Sequence, residues 1–352
     1  MKRPLVVKLG ASLVVDERGR PRRAFLRRRA AELAAVVGEG TPVCVVSSGA
    51  IALGLAGAKR PTSLPRLQAA SALGQAALQR AWQDALRPHG VAAAQILLTS
   101  GEIGDRRAYV NVRAAFNALF QLGAVPVVNE NDATATDEIS FGDNDALAAQ
   151  VAVLLRARLL VLLTSVPGVL HEGVVITDGA QARTAVFGAR SALGRGGMES
   201  KVAAAELAAG AGIPTVIAGD TPLAELLAQG GTRFAAGESA PAFKLWLRYG
   251  KRVAGRIRVD AGARRAVLES GASLLAVGIT SLEGDFRAGD GVELVGPDGD
   301  AFARGIAAAD ASDLARRLEA SAARPPTPGR RPRPPSAAAG VEAVHRDRLV
   351  LL

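Results

Sequence analysis

Cysteine and aromatic side chains are both scarce in this chain. Its 352 residues include one cysteine, Cys44, which lies in the apolar run PVCVV, so an internal disulfide framework is excluded. Aromatic residues make up 4% of the chain, whereas hydrophobic residues make up 49%. The core must therefore be built from alanine, valine and leucine, as in α/β proteins with buried parallel strands.

Long apolar segments are also missing. No run approaches eighteen uninterrupted apolar residues, and the start MKRPLVVKLG lacks the apolar region of a secretion signal. We therefore expect a soluble, cytoplasmic protein with no membrane partner.

Several catalytic motifs are absent as well. There is no G-x-x-x-x-G-K-[ST] phosphate-binding loop and no G-x-S-x-G nucleophile elbow. The three histidines, His89, His171 and His345, lie far apart in the sequence and show no zinc-ligand spacing. These absences argue against P-loop nucleotide enzymes, serine hydrolases of that type and zinc enzymes.

The chain is basic, with 43 Lys+Arg against 33 Asp+Glu and a formal net charge of +10. Arginines cluster between residues 18 and 29 and again in the Pro-rich tract RPPTPGRRPRPPSAAAG. Runs of this kind more often cover a solvated surface than bind nucleic acid. RNA binding through the C-terminal part stays open as an alternative.

Strand-like and helix-like segments alternate with short connections through residues 1–237. This pattern predicts an α/β domain, a three-layer sandwich whose mainly parallel central sheet is covered on both faces. After a linker at 238–250, short strands with glycine turns predict a small antiparallel β-barrel over 251–352. The Pro/Arg-rich tract at 324–340 reads as an insertion before a final strand.

Chemically active residue types follow several of the predicted strands. In parallel α/β sheets, ligands bind where the strands end and the next helices begin. The stretch NENDATATDEISFGDND (Asn129 to Asp145) could be a solvated loop, a metal site or a hydrogen-bonding pocket. With two lysines, glycine-rich backbone donors and these acids at one sheet edge, the chain suits phosphoryl transfer. The other strand-end places are Lys8 with Gly10, Ser47 to Gly49, Thr164 with Ser165, and Gly194 to Lys201.

A set of motifs in a fixed order resembles the amino acid kinase family, and within it the bacterial glutamate 5-kinases. The motifs include VVKLGASLV, VSSGAIALG, LQAASALGQ, VPVVNENDATATDEISFGDNDALAAQVA and GRGGMESKVAAAELAAGAGIPTVIA. The region after Lys251, with GASLLAVGI and GDFRAGD, resembles the PUA domain that many of these kinases carry. The resemblance implies the amino acid kinase fold followed by a PUA-like barrel. It also implies ATP-dependent phosphorylation of the γ-carboxylate of L-glutamate, the first step of proline synthesis.

The same resemblance implies roles for individual residues. Lys8 and Lys201 would neutralise the transferring phosphoryl group, and Asp143 or Asp145 would orient these lysines. Glutamate would be bound by Ser48, Gly49, Asn129, Asp132 and Asn144. The nucleotide would lie on Lys8, Gly10, Thr164, Ser165, Arg195, Gly196, Gly197, Met198 and Lys201. ATP with Mg²⁺, proline as a feedback inhibitor and a dimer or tetramer are further expectations, with the metal ligands left unassigned.

The resemblance is incomplete on the nucleotide side. Ser165 stands where the family usually has aspartate, Arg195 stands where a small hydroxyl residue is usual, and the segment from Leu170 to Gly194 is short. ATP affinity or base selectivity could therefore differ. We also expect the middle of the acidic stretch, with Asp137 and Glu138, to form a flap. Another amino acid kinase activity and a catalytically silent regulator remain alternatives.

Overall fold

The computed structural model describes residues 2–99, 102–103, 105–134, 144–187, 197–237, 242–245, 247–248, 251, 253–322 and 341–352. The chain divides into two compact units, Met1–Ala240 and Pro241–Leu352. The domain limits predicted at 237 and 251 stay predictions, and the Pro/Arg-rich tract 324–340 lies outside the described residues.

Strands and helices alternate in the first unit. Its strands are β1 Leu5–Leu9, β2 Val43–Ser47, β3 Ala93–Leu98, β4 Val125–Glu130, β5 Leu159–Leu163, β6 Val169–His171, β7 Val174–Ile176, β8 Thr215–Ala218 and β9 Thr232–Phe234. Its helices are α1 Ala11–Val14, α2 Arg23–Gly38, α3 Ala50–Leu55, α4 Leu64–Leu86, α5 Arg106–Gln121, α6 Asn144–Leu155, α7 Gly179–Phe187, α8 Met198–Gly210 and α9 Leu223–Ala228.

Seven of these strands form one sheet in the order β3-β4-β2-β1-β5-β8-β9. All neighbouring pairs are parallel except β8 with β9, so the predicted mainly parallel sheet is confirmed. β1 lies in the middle, with Lys8 in register with Val46 of β2 and Leu162 of β5. Every residue of β1, β2 and β5 is buried, because helices cover both faces of the sheet.

Helices α3 and α4 cross with their backbones in close contact, and two glycines make this possible. A Cβ atom at Gly54 would overlap the carbonyl oxygen of Ala70, and one at Gly74 would overlap that of Ala50. The absence of side chains at both positions lets the helices approach this closely. α3 begins immediately after Gly49, so the crossing fixes one of the predicted site segments against α4.

The second unit contains a curled six-stranded sheet in the order β11-β15-β14-β13-β10-β12. Its strands are β10 Val253–Val259, β11 Leu274–Leu275, β12 Ile279–Glu283, β13 Gly291–Val295, β14 Ala301–Ala307 and β15 Glu342–Leu351, and its helices are α10 Ala242–Leu245, α11 Ala261–Ser270 and α12 Ala311–Ala322. The sheet agrees with the predicted PUA-like barrel. It differs in one pairing, because β10 and β13 run parallel, and the sequence pattern did not predict α11 and α12.

Within the described ranges, no helix is both long enough and apolar enough to cross a membrane.

Substituting Gly74 with alanine should destabilise the first unit. The added methyl group overlaps the Ala50 carbonyl, and neither backbone can move without separating α3 from α4. Forcing extra atoms into a packed contact of this kind costs about 3 kcal/mol of unfolding free energy. Urea denaturation followed by circular dichroism measures the change.

Gly38 provides the matched control, since it also lies in a helix, but a Cβ atom added there would meet no other atom within 4 Å. Gly38→Ala should leave the urea midpoint unchanged or slightly raised. Equal midpoints for Gly74→Ala and Gly38→Ala would contradict the close crossing.

Candidate functional site

Polar residues gather where β1, β2, β4 and β5 end. These parallel strands lie side by side, so their carboxyl ends share one edge of the sheet. Lys8 is near the end of β1, Ser47 closes β2, and Asn129 is near the end of β4. Asp132 follows β4 by two residues, so the edge collects basic, hydroxyl, amide and acidic groups.

One buried carboxylate, that of Asp145, bridges two buried lysines. Its Oδ1 pairs with Nζ of Lys8, and its Oδ2 accepts a hydrogen bond from Nζ of Lys201 at 2.9 Å. Asp145 lies in the first turn of α6, and Lys201 lies in the first turns of α8. Lys201 also donates to the carbonyl oxygen of Gly197 at 3.1 Å. Three separate elements thus place two positive charges side by side.

The surroundings of Asp145 keep it ionised. Burial by itself favours the neutral acid, but the charges and hydrogen bonds of Lys8 and Lys201 outweigh burial and hold the pKa of Asp145 below its ordinary value of 3.8. The exposed fractions of Lys8 and Lys201 are 4% and 8%, so water screens these interactions weakly. The cluster as a whole carries positive charge, which suits phosphate.

A second network starts at the neighbouring residue, Asn144. Its Nδ2 donates to Oγ of Ser48 at 2.9 Å and to Oδ1 of Asn129 at 2.7 Å. Asn129 in turn donates to Oε1 of Gln75 at 3.0 Å. Both amide hydrogens of Asn144 are therefore engaged, and its Oδ1 is a buried acceptor with no partner among the described residues.

Asp132 provides a second open acceptor. Ser71 of α4 donates to its Oδ2 at 2.6 Å, whereas its Oδ1 is buried and has no partner in the described part of the chain. Burial raises the pKa of Asp132, while the Ser71 hydrogen bond and the charge of Arg60 act in the opposite direction. A cation bound at Oδ1 would offset the cost of burying this carboxylate.

These open acceptors line a single cleft of about 280 Å³. All five residues that the sequence predicts for amino acid binding line it: Ser48, Gly49, Asn129, Asp132 and Asn144. Gly49 has a φ of 118°, and a side chain there would collide with Val15. Ser48 accepts from Asn144, so its own hydroxyl hydrogen is available to a ligand. The cleft therefore offers acceptors for an ammonium group and a donor for a carboxylate.

The predicted nucleotide residues divide into described and undescribed ones. Gly10 follows β1, while Thr164 and Ser165 follow β5, with Thr164 half-buried and Ser165 exposed. Gly197 caps α8 with a φ of 112°, and Met198 is the first residue of that helix. Asp143, Arg195 and Gly196 lie outside the described residues, as do Asp137 and Glu138.

This edge of the sheet fits a nucleotide phosphate. The N–H groups in the first turn of α8 and the ammonium groups of Lys8 and Lys201 are donors of the kind that phosphate requires. In the described ranges no three acidic, histidine or cysteine side chains converge as a metal cage. Both Asp145 oxygens interact with the lysines.

Sequence reasoning missed the contribution of α4. Ser71, Gln75 and Trp82 of this helix contact Asp132, Asn129 and Ser47, respectively, with Trp82 Nε1 donating to Ser47 Oγ at 3.0 Å. The spacing of Ser71 and Gln75, one helical turn apart, is a signal that they share a face. The sequence pattern does not show, however, that this face of α4 contacts the residues at the strand ends.

The first unit matches a known family model. Residues 3–219 match the amino acid kinase family, which is more than half of the chain. The chain belongs to the amino acid kinase family. Residues 255–326 match the PUA domain, in agreement with the predicted second domain.

Curated relatives align over nearly the whole chain. A glutamate 5-kinase of Sphingopyxis alaskensis is 42% identical and covers 99% of this chain and 97% of its own length. A glutamate 5-kinase of Novosphingobium aromaticivorans is 43% identical over 99% of this chain and 96% of its own. Among solved structures, Giardia carbamate kinase superposes with a TM-score of 0.52 at 16% identity, covering 67% of this chain and 99% of that one. This likeness shows the fold, and the relatives support a kinase.

Several arginines in the described part of the second unit form ion pairs. Arg258 pairs with Glu283 at 2.6 Å, and Arg264 pairs with Asp298 at 3.4 Å. Glu293 pairs with both Arg256 and Arg304. Such neutralised arginines contribute less to phosphate attraction than free ones.

Replacing Asp145 with asparagine should destabilise the protein at neutral pH, because two buried lysines lose their counter-charge. Removing one partner of a buried ion pair costs about 3 kcal/mol. The pKa of Asp145 is lowered in the folded state, so its stabilisation is present above its ordinary value of 3.8 and is lost as pH falls through the folded value. Urea denaturation from pH 7 down to pH 3 should show the difference between wild type and variant narrowing at the acid end.

Asp84→Asn is the control, because Asp84 of α4 forms an exposed ion pair with Arg87, the residue that follows this helix. Its effect on unfolding free energy should stay within about 0.5 kcal/mol. A difference for Asp145→Asn that does not change with pH would contradict the ionic role of Asp145.

Proposed function

We propose that this protein is a glutamate 5-kinase, which transfers the terminal phosphate of ATP to the γ-carboxylate of L-glutamate. The observation that carries the proposal is the junction of two sites at the start of α6. Asn144 belongs to the cleft that suits an amino acid, and the adjacent Asp145 holds the two lysines that suit a phosphate. The full-length similarity to enzymes named glutamate 5-kinase supports this substrate over those of other family members.

Recognition of glutamate follows from the open groups of the cleft. The α-ammonium group would bind to Oδ1 of Asp132 and Oδ1 of Asn144, which are acceptors without partners in the described chain. A carboxylate would accept from the hydroxyl of Ser48 and from backbone N–H groups near Gly49. Such a site rejects analogues that lack one of these groups, because its buried polar atoms are then left unpaired.

Transfer needs charge neutralisation rather than a protein nucleophile. An oxygen of the γ-carboxylate attacks the terminal phosphorus of ATP, and the bond to the bridging oxygen breaks so that ADP leaves with those electrons. Lys8 and Lys201 would stabilise the negative charge around the phosphoryl group, and Asp145 would orient both ammonium groups. Bound magnesium would supply further charge neutralisation on the phosphates.

The product, γ-glutamyl phosphate, would enter proline synthesis, as the family resemblance implies. Inhibition by proline, a homo-oligomeric state, a cytoplasmic location and the individual site roles remain predictions.

A hydroxamate assay tests the activity directly. Purified protein, glutamate, ATP and Mg²⁺ should yield γ-glutamyl hydroxamate when hydroxylamine traps the acyl phosphate. N-acetylglutamate, aspartate, carbamate and UMP should give little ADP release under the same conditions. If no hydroxamate forms above background, the proposal is wrong. Faster turnover of another acceptor would favour the activity of a different family member.

Lys201→Ala should lower kcat by at least about two powers of ten, because it removes a preorganised charge from the transferring phosphoryl group. Lys2→Ala is the control. Lys2 precedes the amino end of β1, whereas the candidate site lies at the carboxyl end of this strand. Its ammonium group donates to the carbonyl oxygen of Glu39 at 2.8 Å. The kcat of Lys2→Ala should equal that of wild type. A Lys201→Ala enzyme with near-normal kcat would remove Lys201 from the mechanism.

A further inference from the structure

Ser71 lies behind the cleft and contacts one of its acidic residues. The side chain is on α4 and its residue is 2% exposed. Its hydroxyl donates to Oδ2 of Asp132 at 2.6 Å, a contact across 61 residues of sequence. Ser71 does not line the cleft itself, so it has no direct access to a ligand there.

The backbone around Ser71 is held from both sides. Its neighbour Ala70 packs its carbonyl against Gly54, and Gly74, one turn later, packs against the carbonyl of Ala50. Any shift of α4 at this level would open the crossing with α3. The Cα atom of Ser71 is therefore held in place, and a single side-chain torsion, χ1, separates its hydroxyl from this fixed backbone.

A fixed donor at one carboxylate oxygen determines where the other oxygen points. Asp132 is 5% exposed and lines the cleft, and its Oδ1 is buried with no partner among the described residues. If Oδ2 were free, the carboxylate could rotate about its terminal bond, because that torsion has a broad energy minimum. Ser71 removes this freedom before any ligand arrives.

We propose that Ser71 is a positioning residue for substrate binding, which anchors one oxygen of Asp132 so that the other receives the ammonium group of the amino acid. The inference rests on the proposed function, since it assigns the ammonium to Asp132. It adds a residue that never touches the substrate and acts only through Asp132.

The charge of Asp132 depends on the same contact. Burial raises the pKa of Asp132, whereas the hydrogen bond from Ser71 and the guanidinium of Arg60 lower it. Among the described residues, the other ionisable side chains that line the cleft are those of Asp16 and Glu17, both acidic. Without Ser71 the carboxylate should therefore take up a proton at higher pH, and a protonated Asp132 attracts an ammonium group less strongly.

Steady-state kinetics of Ser71→Ala test the proposal. The KM for glutamate should rise about tenfold or more, as expected for losing a hydrogen bond to a charged group. The kcat and the KM for ATP should stay within about twofold of wild type, because the lysine cluster is untouched. The acid limb of kcat/KM for glutamate should move to higher pH. An unchanged KM for glutamate with an unmoved acid limb would overturn the proposal.

Gln79→Ala is the matched control for a structural effect. Gln79 is a half-buried polar residue of the same helix, but it donates to the backbone carbonyl of Ala93 in β3 at 3.0 Å, away from the cleft residues. It should leave both the KM for glutamate and the acid limb unchanged. Equal changes in Gln79→Ala and Ser71→Ala would mean that Ser71 acts only by stabilising the helix, which overturns its positioning role.

A titration without substrate separates this inference from the proposed function. Carboxyl ¹³C resonances of labelled aspartate, with Asp132 assigned through Asp132→Asn, should show a higher Asp132 pKa in Ser71→Ala than in wild type. If the Asp132 pKa is higher in Ser71→Ala but wild type does not phosphorylate glutamate, the contact between Ser71 and Asp132 is supported and the proposed function is wrong. If wild type phosphorylates glutamate but the Asp132 pKa is the same in both proteins, the positioning role of Ser71 is wrong and the proposed function is supported.

Discussion

The rest of the site depends on the contact of the Asp145 carboxylate with Lys8 and Lys201. Two buried ammonium groups repel each other, and the carboxylate that they share offsets this repulsion. Lys8 lies on the central strand β1 and Lys201 on α8. The Asp145 carboxylate therefore connects two elements that are far apart in the sequence of the first unit. With two ammonium groups and one carboxylate, the cluster suits a ligand with negative charge.

The position of Asp145 beside Asn144 links that cluster to the amino acid cleft. Successive residues at the start of α6 point one side chain to the lysines and the other to Ser48 and Asn129. Any movement of this helix end would displace both side-chain networks together. On the far side of the cleft, the crossing of α3 and α4 at Gly54 and Gly74 fixes the helix that carries the Ser71 donor to Asp132 and the Gln75 acceptor from Asn129. The two networks therefore place the proposed sites of the acceptor and of the phosphate donor next to each other before either ligand binds.

The sequence predicted the parallel sheet and the convergence of Lys8, Ser48, Asn129, Asp132, Asn144, Asp145 and Lys201, because strand ends of a parallel sheet necessarily share one edge. The same reasoning missed the edge strand β9, which has three residues, and the parallel pairing of β10 with β13, which depends on distant parts of the chain. Ser71 was missed for another reason: a serine within an alanine-rich helix shows no sign of its partner, which only tertiary packing supplies. Two further expectations, that Asp143 orients the lysines and that the segment with Asp137 and Glu138 forms a flap, concern residues outside those described and stay predictions.

The central claim is that the γ-carboxylate of glutamate is the phosphoryl acceptor, and oxygen tracing tests it most directly. Glutamate labelled with ¹⁸O in the γ-carboxylate would be incubated with the protein, ATP, Mg²⁺ and hydroxylamine, and the released phosphate would be examined by ³¹P NMR. Hydroxylamine attacks the carbonyl carbon of an acyl phosphate, so the bridging oxygen leaves with phosphate. Our account predicts one ¹⁸O atom in each phosphate that accompanies hydroxamate. Phosphate without label would show that ATP is hydrolysed by water and would contradict the account.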